Sequence, residues 1–566
     1  MCDERDVRVG GHGSRGVWIA VALALAQTAL LAVTAWDKSD TADESEYVAA
    51  AATLWANGDV GYLCGAPVLP RWGAALALAA VDPAVTRTPR DEPLRYVLAD
   101  VPPERLRAVL FAVRLPTILI VVAGGLVVAS AARRFGSTAA VLTHALWCFS
   151  PTVLANGSLA TLDAWAAAFL CMAAWALLRG RERFGAASAA ILGVACGAAA
   201  ASKITALGFV PVAALAILVG VPRGARATTL ATAAVAFLAT IWATYAFTVG
   251  PVHVGMPCEP DGGRVVGPLP FPAWIEGVLF QLRHGRIGHL GYLCGMVGTH
   301  GWWWFYLVCL VFKPTVGAQA LALLRGGAAL VRRPPRASLA LDAMLLTYPL
   351  MLLVFLSAGS HQGGVAFLLP AFPFVMLWTG HGIGDVVRAF GRRGRAVMLA
   401  CVALGAVEAL CVHPHYLMFF NLWAGGPSGG PRYLVHRDDW GQDDRRLAVW
   451  QRRHHVARLY FAAYGPNAAR WGVVGEPVPC TPTAGVYALH AIEVHRPQFS
   501  LSPGCIDWLT VEPPDERLGY SIYVYIVDDA RLARLRDERA VATPFWRSGA
   551  APARAVPSVA FPERID

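Results

Sequence analysis

The stretch "VWIAVALALAQTALLAV", residues 17–33, is followed at once by "AWDKSDTADESEYVAAAATLWANGD", residues 35–59. The first run, with its apolar flanks, is long enough to cross a bilayer, which takes about 20 apolar residues. The second run places Asp43 and Glu44 at the start of a predicted helix. Thr41 and Glu44 fit a capping box, and first-turn acids complement the helix dipole. These acids therefore either cap a helix or include a catalytic carboxylate at the membrane surface. This stretch leaves both interpretations open.

The composition indicates a membrane protein. Of 566 residues, 56% are hydrophobic and only 15% are charged, well below the quarter that is typical of globular domains. The net charge is +10, but the arginines form short clusters between apolar runs. This pattern is typical of cytoplasmic loops under the positive-inside rule, so it favours a membrane topology over nucleic-acid binding.

Eleven apolar segments are predicted to span the membrane. They lie at about residues 17–35, 108–131, 138–153, 164–178, 187–201, 204–220, 227–249, 302–323, 338–357, 365–380 and 396–412. With this count, every basic cluster between spans falls on the side of the N-terminus, which the positive-inside rule places in the cytoplasm. These clusters are Arg133/Arg134, residues 179–183, Arg223/Arg226, residues 332–336 and residues 388–395. The outer face then receives residues 36–107, 155–163, 250–301 and everything after 413.

We therefore predict an all-α membrane fold, a polytopic bundle of about eleven transmembrane helices with juxtamembrane helices on the outer face. It covers residues 1–412, and a small α/β or α+β soluble domain covers residues 413–566. In that domain, "GVYALHAIEV" at 485–494 and "GYSIYVYIV" at 519–527 predict strands. The richness in alanine, glycine and arginine is typical of a GC-rich bacterial genome. We expect an inner-membrane protein with a cytoplasmic N-terminus and a periplasmic C-terminal domain.

Five cysteines fall on the predicted outer face, an oxidising compartment if it is a periplasm. Cys480 and Cys505 are predicted to pair. Cys64, Cys258 and Cys294 supply a second disulfide with one thiol left over, and the sequence does not decide which. No spacing resembles a zinc site, so no metal ligand is predicted. A divalent-metal requirement stays open.

Two carboxylates and three lysines are candidates for chemistry. Asp43 and Asp163 head different predicted helices on the same face, where they form an acid/base pair, orient an acceptor, or merely cap their helices. Only three of the 48 basic residues are lysines: Lys38, Lys203 and Lys313. A lysine is a compact phosphate-binding charge, which favours an anionic, lipid-attached substrate. The alternatives are that the lysine side chains extend to the membrane interface or that their positions are due to chance.

Aromatic residues cluster in "GTHGWWWFYLVCLVFKP", residues 298–314, which includes Trp302 and Trp303. Such a run is typical of a membrane-interface belt, and aromatic rings also stack on sugars. The preceding loop, rich in glycine and proline, indicates either an active-site cover or a plain connector. The sequence has no P-loop, dinucleotide fingerprint or nucleophile elbow, which leaves ATP-driven and serine-hydrolase chemistry unsupported.

Several blocks, in order along most of the chain, resemble the dolichyl-phosphate-mannose protein mannosyltransferase family and its bacterial relatives, including the aminoarabinose transferase of lipid A. The blocks are "DESEYVAAAATLWANGD" (43–59), "RRFGSTAAVLTHALWCFSPTVLANGSLATLDAWAAAF" (133–169), "GVACGAAAASKITAL" (193–207), "GWWWFYLVCLVFKPT" (301–315), "HPHYLMFFNLWAGGPSGGPRYLVHRDDWGQDDRRLAVW" (413–450) and "GYSIYVYIV" (519–527).

This resemblance implies a GT-C glycosyltransferase, which transfers a sugar from a polyprenyl-phosphate donor to an acceptor hydroxyl on the outer face, with inversion. By motif, Asp43 is the expected general base, Glu44 completes the family's acidic pair, and Asp163 orients the acceptor or donor. Lys203 and Lys313 match family lysines, and we expect them to contact the lipid phosphate. No cofactor beyond the polyprenyl-phosphate sugar is implied.

One departure from the family pattern concerns "SHQGGVAFLLPAFPF", residues 360–374. Ala366 stands where relatives often carry an arginine, and His361 either compensates or caps a helix. Lys38 is a further donor-phosphate candidate. The block "RDDWGQDD" is shorter than in the family, and acceptor-side or domain-packing roles are expected for Asp439, Trp440 and Gln442.

Two other functions remain open, a transporter or flippase of lipid-linked intermediates and a non-catalytic scaffold. A transporter usually has inverted repeats or polar residues within its spans, whereas most acids here gather on one face, which favours the enzyme. Intact Asp43 weighs against a scaffold. The sugar and the acceptor (protein, glycolipid or cell-wall polymer) are not determined by the sequence.

Overall fold

The computed structural model describes residues 12–82, 98, 101–180, 185–255, 257–258, 263–332, 335–465, 467–497 and 500–538. Parts of the predicted first outer loop, of the basic clusters at 179–183 and 332–336 and of the C-terminal domain lie outside these residues. Within them, helices dominate up to residue 411, and a small sheet follows.

Every predicted span overlaps at least one helix. The principal helices up to residue 411 are His12–Asp37, Ala42–Asn57, Leu69–Val81, Pro103–Ala132, Ser137–Cys148, Pro151–Gly157, Asp163–Gly180, Ala186–Ala200, Val210–Gly220, Arg223–Thr244, Pro272–Ile287, Phe305–Phe312, Val316–Arg332, Arg336–Ala358, Phe372–His381 and Ile383–Cys411. Among the described residues, five helices are long and apolar enough to cross a membrane, or up to seven if each bent pair is one span. The chain is a multi-pass membrane protein, and the count of eleven stays a prediction.

Two predicted spans are broken in the middle. The segment predicted at 138–153 bends by 57° before Pro151, and the one at 302–323 bends by 104° at Lys313–Pro314. A proline lacks the N–H that continues a helix and clashes with the preceding turn. At the second break the amide of Asn421 donates to the carbonyls of Val311 and Pro314, at 2.7 and 2.9 Å. Lys313 therefore lies at a break and not in the middle of a regular span.

Small residues allow helices to approach closely, as is common in membrane bundles. A Cβ at Gly193 would lie 2.2 Å from the carbonyl oxygen of Ala233, and one at Gly317 would lie 2.0 Å from that of Cys401. Neither contact leaves room for a side chain. These glycines fix the packing of Ala186–Ala200 on Arg223–Thr244 and of Val316–Arg332 on Ile383–Cys411.

The C-terminal region contains a four-stranded mixed sheet. Its strands run in the order Leu459–Ala462, Gly485–His490, Ile522–Val527 and Glu516–Leu518; the first pair is parallel and the others are antiparallel. Successive side chains point to opposite faces. One face packs Ile522 and Val524 against Leu447 of the helix Asp444–Arg453, and the other buries Tyr523 and Tyr525. Both predicted strands are present, but the first ends at His490, and the rest of its predicted range belongs to the short helix Ala491–His495.

The outer-loop cysteines pair as Cys480–Cys505 and Cys64–Cys258. Cys294 is the thiol left over. The second bond joins the predicted outer loops 36–107 and 250–301. Within the latter, Val249–His253 pairs with Val265–Pro270, and Gly291–Leu293 with Met296–Gly298, as two short hairpins.

Arg114, on the helix Pro103–Ala132, anchors the chain where it leaves the first helix. Its five N–H groups donate to Glu44 twice, at 2.6 and 2.7 Å, and to the carbonyls of Ala35, Lys38 and Ser39, at 2.7 to 2.9 Å. A guanidinium has five N–H donors, so all are used. Neither side chain of the Arg114–Glu44 pair is exposed.

Replacing Arg114 with methionine is expected to lower the free energy of unfolding by about 3–5 kcal/mol, because a buried carboxylate loses its counter-charge. Thermal unfolding in detergent measures the effect. The double variant Glu44→Gln, Arg114→Met should be more stable than Arg114→Met alone, and exposed Arg283→Met serves as the control. Equal midpoints for Arg114→Met and the control would contradict the anchor.

His490 is buried between two carboxylates of the C-terminal region. Its Nδ1 lies 3.2 Å from Asp439 and its Nε2 lies 2.9 Å from Asp444. Burial alone would lower the pKa of His490, but the two carboxylates raise it well above its ordinary value. The imidazolium therefore holds the helix Asp444–Arg453 against the sheet.

Because the folded-state pKa of His490 is raised, its contribution to stability is fully present below the unfolded pKa, about 6.5, and is lost as pH rises through the folded value. The difference in thermal midpoint between the native chain and His490→Asn should be largest at about pH 6 and should narrow toward about pH 9 and above. Exposed His455→Asn is the control. A difference that does not change with pH would show that His490 is neutral.

Candidate active site

One arginine, Arg437, joins the two predicted carboxylates. Its Nη2 donates to Asp43 at 2.8 Å and its Nη1 to Asp163 at 3.4 Å. Asp43 lies in the first turn of Ala42–Asn57 and Asp163 begins the helix Asp163–Gly180. The Asp43 side chain is 33% exposed and that of Asp163 only 3%. Asp43 is therefore the accessible carboxylate, and Asp163 is the buried one.

Two lysines complete a cluster of charges around this arginine. Lys203 forms an ion pair with Asp163, and its ammonium lies 4.0 Å from the ring centre of Phe367. Lys313 forms an ion pair with Asp438 and donates to the carbonyl of Phe419 at 2.9 Å. We call Asp43, Asp163, Asp438, Lys203, Lys313 and Arg437 the charge cluster. Its three cations and three carboxylates balance.

Burial alone would lower the pKa of Arg437, but the carboxylates of Asp43 and Asp163 raise it above its ordinary value. Arg437 also lies over the ring of Trp440, 4.4 Å from its centre, a favourable cation–π geometry. The arginine is thus charged at any physiological pH and held in place from two sides.

A cavity of about 20 Å³, large enough for one water molecule, lies beside this cluster. Lys313, Arg437, Asp438 and Ala366 are among the residues that line it. The sequence expectation was that Ala366 replaces a family arginine. In space, the guanidinium of Arg437 lies at the same cavity, so a cation is present there without one at position 366.

Two predicted site residues hold the first outer loop instead of facing the cluster. Both carboxylate oxygens of Glu44 accept from Arg114, and the backbone N–H of Ala160 donates to Oε1 at 2.7 Å. Lys38 is buried between Asp443, at 2.6 Å, and His415, at 2.5 Å. These contacts favour anchoring over catalysis for Glu44 and over phosphate binding for Lys38.

His361 lies with two other histidines, His284 and His289. Burial, with a smaller contribution from its histidine neighbours, lowers the pKa of His361 to about 2. It carries no charge at neutral pH and cannot replace the charge of an arginine at position 366. Its ring does contact Phe367, with centres 5.3 Å apart, so one aromatic ring separates it from Lys203.

The remaining predicted residues pack the segments together. Asp439 binds His490 and the N–H of Ile492, and Gln442 accepts from the N–H of Trp440 at 2.7 Å. Backbone bonds then join the C-terminal segment to the first outer loop, from Ser39 to Gln442 and from Ala42 to Trp440.

The two tryptophans differ in position. Trp302 exchanges hydrogen bonds with Gln362, whereas the Trp303 side chain is 72% exposed. Trp303 therefore suits a membrane-interface position.

The sequence did not single out Arg437 or Asp438. Both belong to the quoted block 413–450, in which Asp439, Trp440 and Gln442 are the predicted residues. The sequence signal that could have identified Asp438 is the charge of Lys313. A buried charge needs an oppositely charged partner. Because a lysine is costly within an apolar run, Lys313 required a carboxylate such as Asp438.

Residues 106–248, about a quarter of the chain, match the family model described as dolichyl-phosphate-mannose-protein mannosyltransferase. The family resemblance is confirmed. The match covers the middle of the membrane part, and the matched segment includes Asp163 and Lys203.

Several solved structures are similar. ArnT from Cupriavidus metallidurans bound to undecaprenyl phosphate has 14% identity and a TM-score of 0.48, over 91% of this chain and 98% of that chain. The apo state of the same enzyme has 17% identity and a TM-score of 0.45, over 72% and 70%. The oligosaccharyltransferase of Archaeoglobus fulgidus has 13% identity and a TM-score of 0.42, over 70% and 55%. No curated protein matches the chain.

Removing the arginine should expose repulsion between the two carboxylates it joins. We expect Arg437→Ala to lower the thermal midpoint in detergent, and Asp163→Asn in the same chain to restore part of the loss. A double-mutant cycle should give a coupling on the order of 1 kcal/mol. Arg432→Ala, an exposed neighbour, is the control. Additive effects of Arg437→Ala and Asp163→Asn would mean that the two residues do not interact.

Proposed function

We propose that the protein is an inverting glycosyltransferase that transfers a sugar from a polyprenyl-phosphate donor to an acceptor hydroxyl on the outer face of the membrane. The observation that carries this proposal is Asp43. It is a partly exposed carboxylate, bound to the same guanidinium as buried Asp163, which also forms an ion pair with Lys203. A base that lies beside several cations suits a reaction in which a hydroxyl attacks and a phosphate leaves.

The charge balance of the cluster suggests how the donor activates the site. A lipid phosphate entering beside Lys203, Lys313 and Arg437 adds negative charge, and it competes with the carboxylates for these cations. As Arg437 turns toward the phosphate, its hydrogen bond to Asp43 is released. Donor binding would thus free the base at the moment it is needed.

The reaction then proceeds by one displacement. The acceptor oxygen attacks the anomeric carbon while its proton passes to a carboxylate oxygen of Asp43. The bond from the anomeric carbon to the phosphate oxygen breaks, and its electron pair stays on the lipid phosphate. Lys203 and Arg437 stabilise that charge as it develops. Asp163 holds both cations in position.

The topology belongs to the same proposal. Eleven spans, a cytoplasmic N-terminus and an outer-face domain after residue 413 place the charge cluster outside a bacterial inner membrane. The contacts of Arg437 with Asp43 and Asp163, and the ion pair of Lys203, support this because they bring the predicted outer segments together. The acceptor is a protein hydroxyl, a glycolipid or a cell-wall polymer, three classes that the assay below separates.

Asp43→Asn is expected to reduce sugar transfer by about 100-fold or more, since a positioned general base contributes roughly 10²–10⁴-fold. The assay uses purified protein in detergent, radiolabelled polyprenyl-phosphate sugars and a membrane extract as the acceptor pool. The fraction that gains label identifies the acceptor class.

The matched control is Asp59→Asn, which removes an exposed carboxylate just beyond the same helix. It should leave transfer unchanged. Equal transfer by the native chain and Asp43→Asn would remove Asp43 as the base. No transfer by the native chain across a broad donor panel would favour a flippase of lipid-linked intermediates or a non-catalytic scaffold.

A further inference from the structure

Three histidines from distant parts of the sequence meet beside the proposed active site. His284 lies in the last turn of the helix Pro272–Ile287, His289 follows that helix, and His361 lies in the segment after Arg336–Ala358. Among the described residues, they are the one group whose potential metal-ligand atoms all lie within 4.8 Å of one another. The Nε2 atoms of His284 and His289 are 2.5 Å apart.

The backbone supports this arrangement. The N–H of Ser360 donates to the carbonyl of Gly285 at 3.3 Å, and that of Gly288 donates to the carbonyl of His284 at 3.3 Å. Gly288 has φ +78°, and a Cβ there would lie 2.2 Å from the carbonyl oxygen of Thr299. The turn that directs His289 back toward His284 therefore requires glycine at position 288.

We propose that these three histidines bind one transition-metal ion, Zn²⁺ or a similar nitrogen-preferring ion. Ligand nitrogens of a tetrahedral zinc site lie about 3.3 Å apart, for bonds of about 2.0–2.1 Å. Modest rotation of the rings brings the observed nitrogens to that spacing. Three protein ligands leave a fourth position, as in open zinc sites, and exposed His289 places that position toward solvent.

The chemistry of the ligand set selects the metal. The group contains no carboxylate, and Arg496 donates to the carbonyl of Leu290, next to His289. A hard cation such as Mg²⁺ or Ca²⁺ needs oxygen ligands and negative charge, whereas imidazole suits Zn²⁺, Co²⁺, Ni²⁺ and Cu²⁺.

The bound ion would fix the segment 359–364 to the end of the helix Pro272–Ile287. That segment leads directly to Phe367, whose ring lies under Lys203 and contacts His361. Metal binding therefore stabilises the wall of the charge cluster. The inference concerns binding by this chain's own histidines and holds whether or not the protein transfers a sugar.

The test uses the full chain, purified in detergent with a non-histidine affinity tag and stripped with a chelator. Isothermal titration with ZnCl₂ should give one site that Mg²⁺ does not occupy, and Zn²⁺ should raise the thermal midpoint. Co²⁺ should give the visible absorption of a tetrahedral nitrogen site. Elemental analysis after desalting counts the retained ions.

Replacing one ligand should weaken the site strongly. His289→Ala, the most exposed of the three, and His361→Gln should each raise the Zn²⁺ dissociation constant by about 100-fold, in line with losses at metal sites, and should abolish the shift in thermal midpoint. His300→Ala, an exposed histidine of the same outer loop, is the control. Unchanged Zn²⁺ affinity in both ligand variants, or equal binding of Mg²⁺, would overturn the proposal.

Discussion

The position of the proposed base depends on one buried guanidinium. Arg114 binds Glu44 and the carbonyls of Ala35, Lys38 and Ser39, where the chain leaves the first helix, and Glu44 in turn binds the N–H of Ala160. Since Glu44 is the residue after Asp43, the direction of Asp43 follows from this network. The same network connects the loop to the segment that precedes Asp163. A charged pair without water access is costly to form, but once paired it has few alternative geometries.

A second constraint is the balance of charge within the charge cluster. The cluster contains three cations and three carboxylates, and each cation has a carboxylate partner. Under the proposed function, an entering phosphate would share these cations with the carboxylates, and its binding would change the contacts of Asp43. Arg437 lies over the ring of Trp440, and Lys203 lies over that of Phe367.

The sequence predicted much of the architecture. Apolar length and basic loops located the helices, and period-two patterns located two strands. The sequence also singled out Asp43, Asp163, Lys203 and Lys313, which the structure brings into one cluster. It did not predict the break at Lys313, although Pro314 was visible, because an apolar run looks the same whether straight or bent.

Other features required three-dimensional information. Arg437 lies 394 residues from Asp43 in the sequence, and no local pattern encodes such a pairing. Glu44 and Asp43 are adjacent acids of one motif, but the burial of Glu44 separates their roles. The three histidines are spaced like no metal motif, since a turn at Gly288 and a backbone bond from Ser360 bring them together.

The boundary between the two predicted domains has a consequence for how such proteins can be recombined. Arg437, Asp438 and Trp440 lie beyond residue 412, yet they complete a site whose other members belong to the membrane part. The segment 413–450 is therefore inherited with the bundle, and the sheet that follows is joined to it through His490, which binds Asp439 and Asp444. Chimaeras between relatives would preserve a complete site only if they joined after the helix Asp444–Arg453. Over evolutionary time, residues 37–45 and 437–445 would be expected to change together.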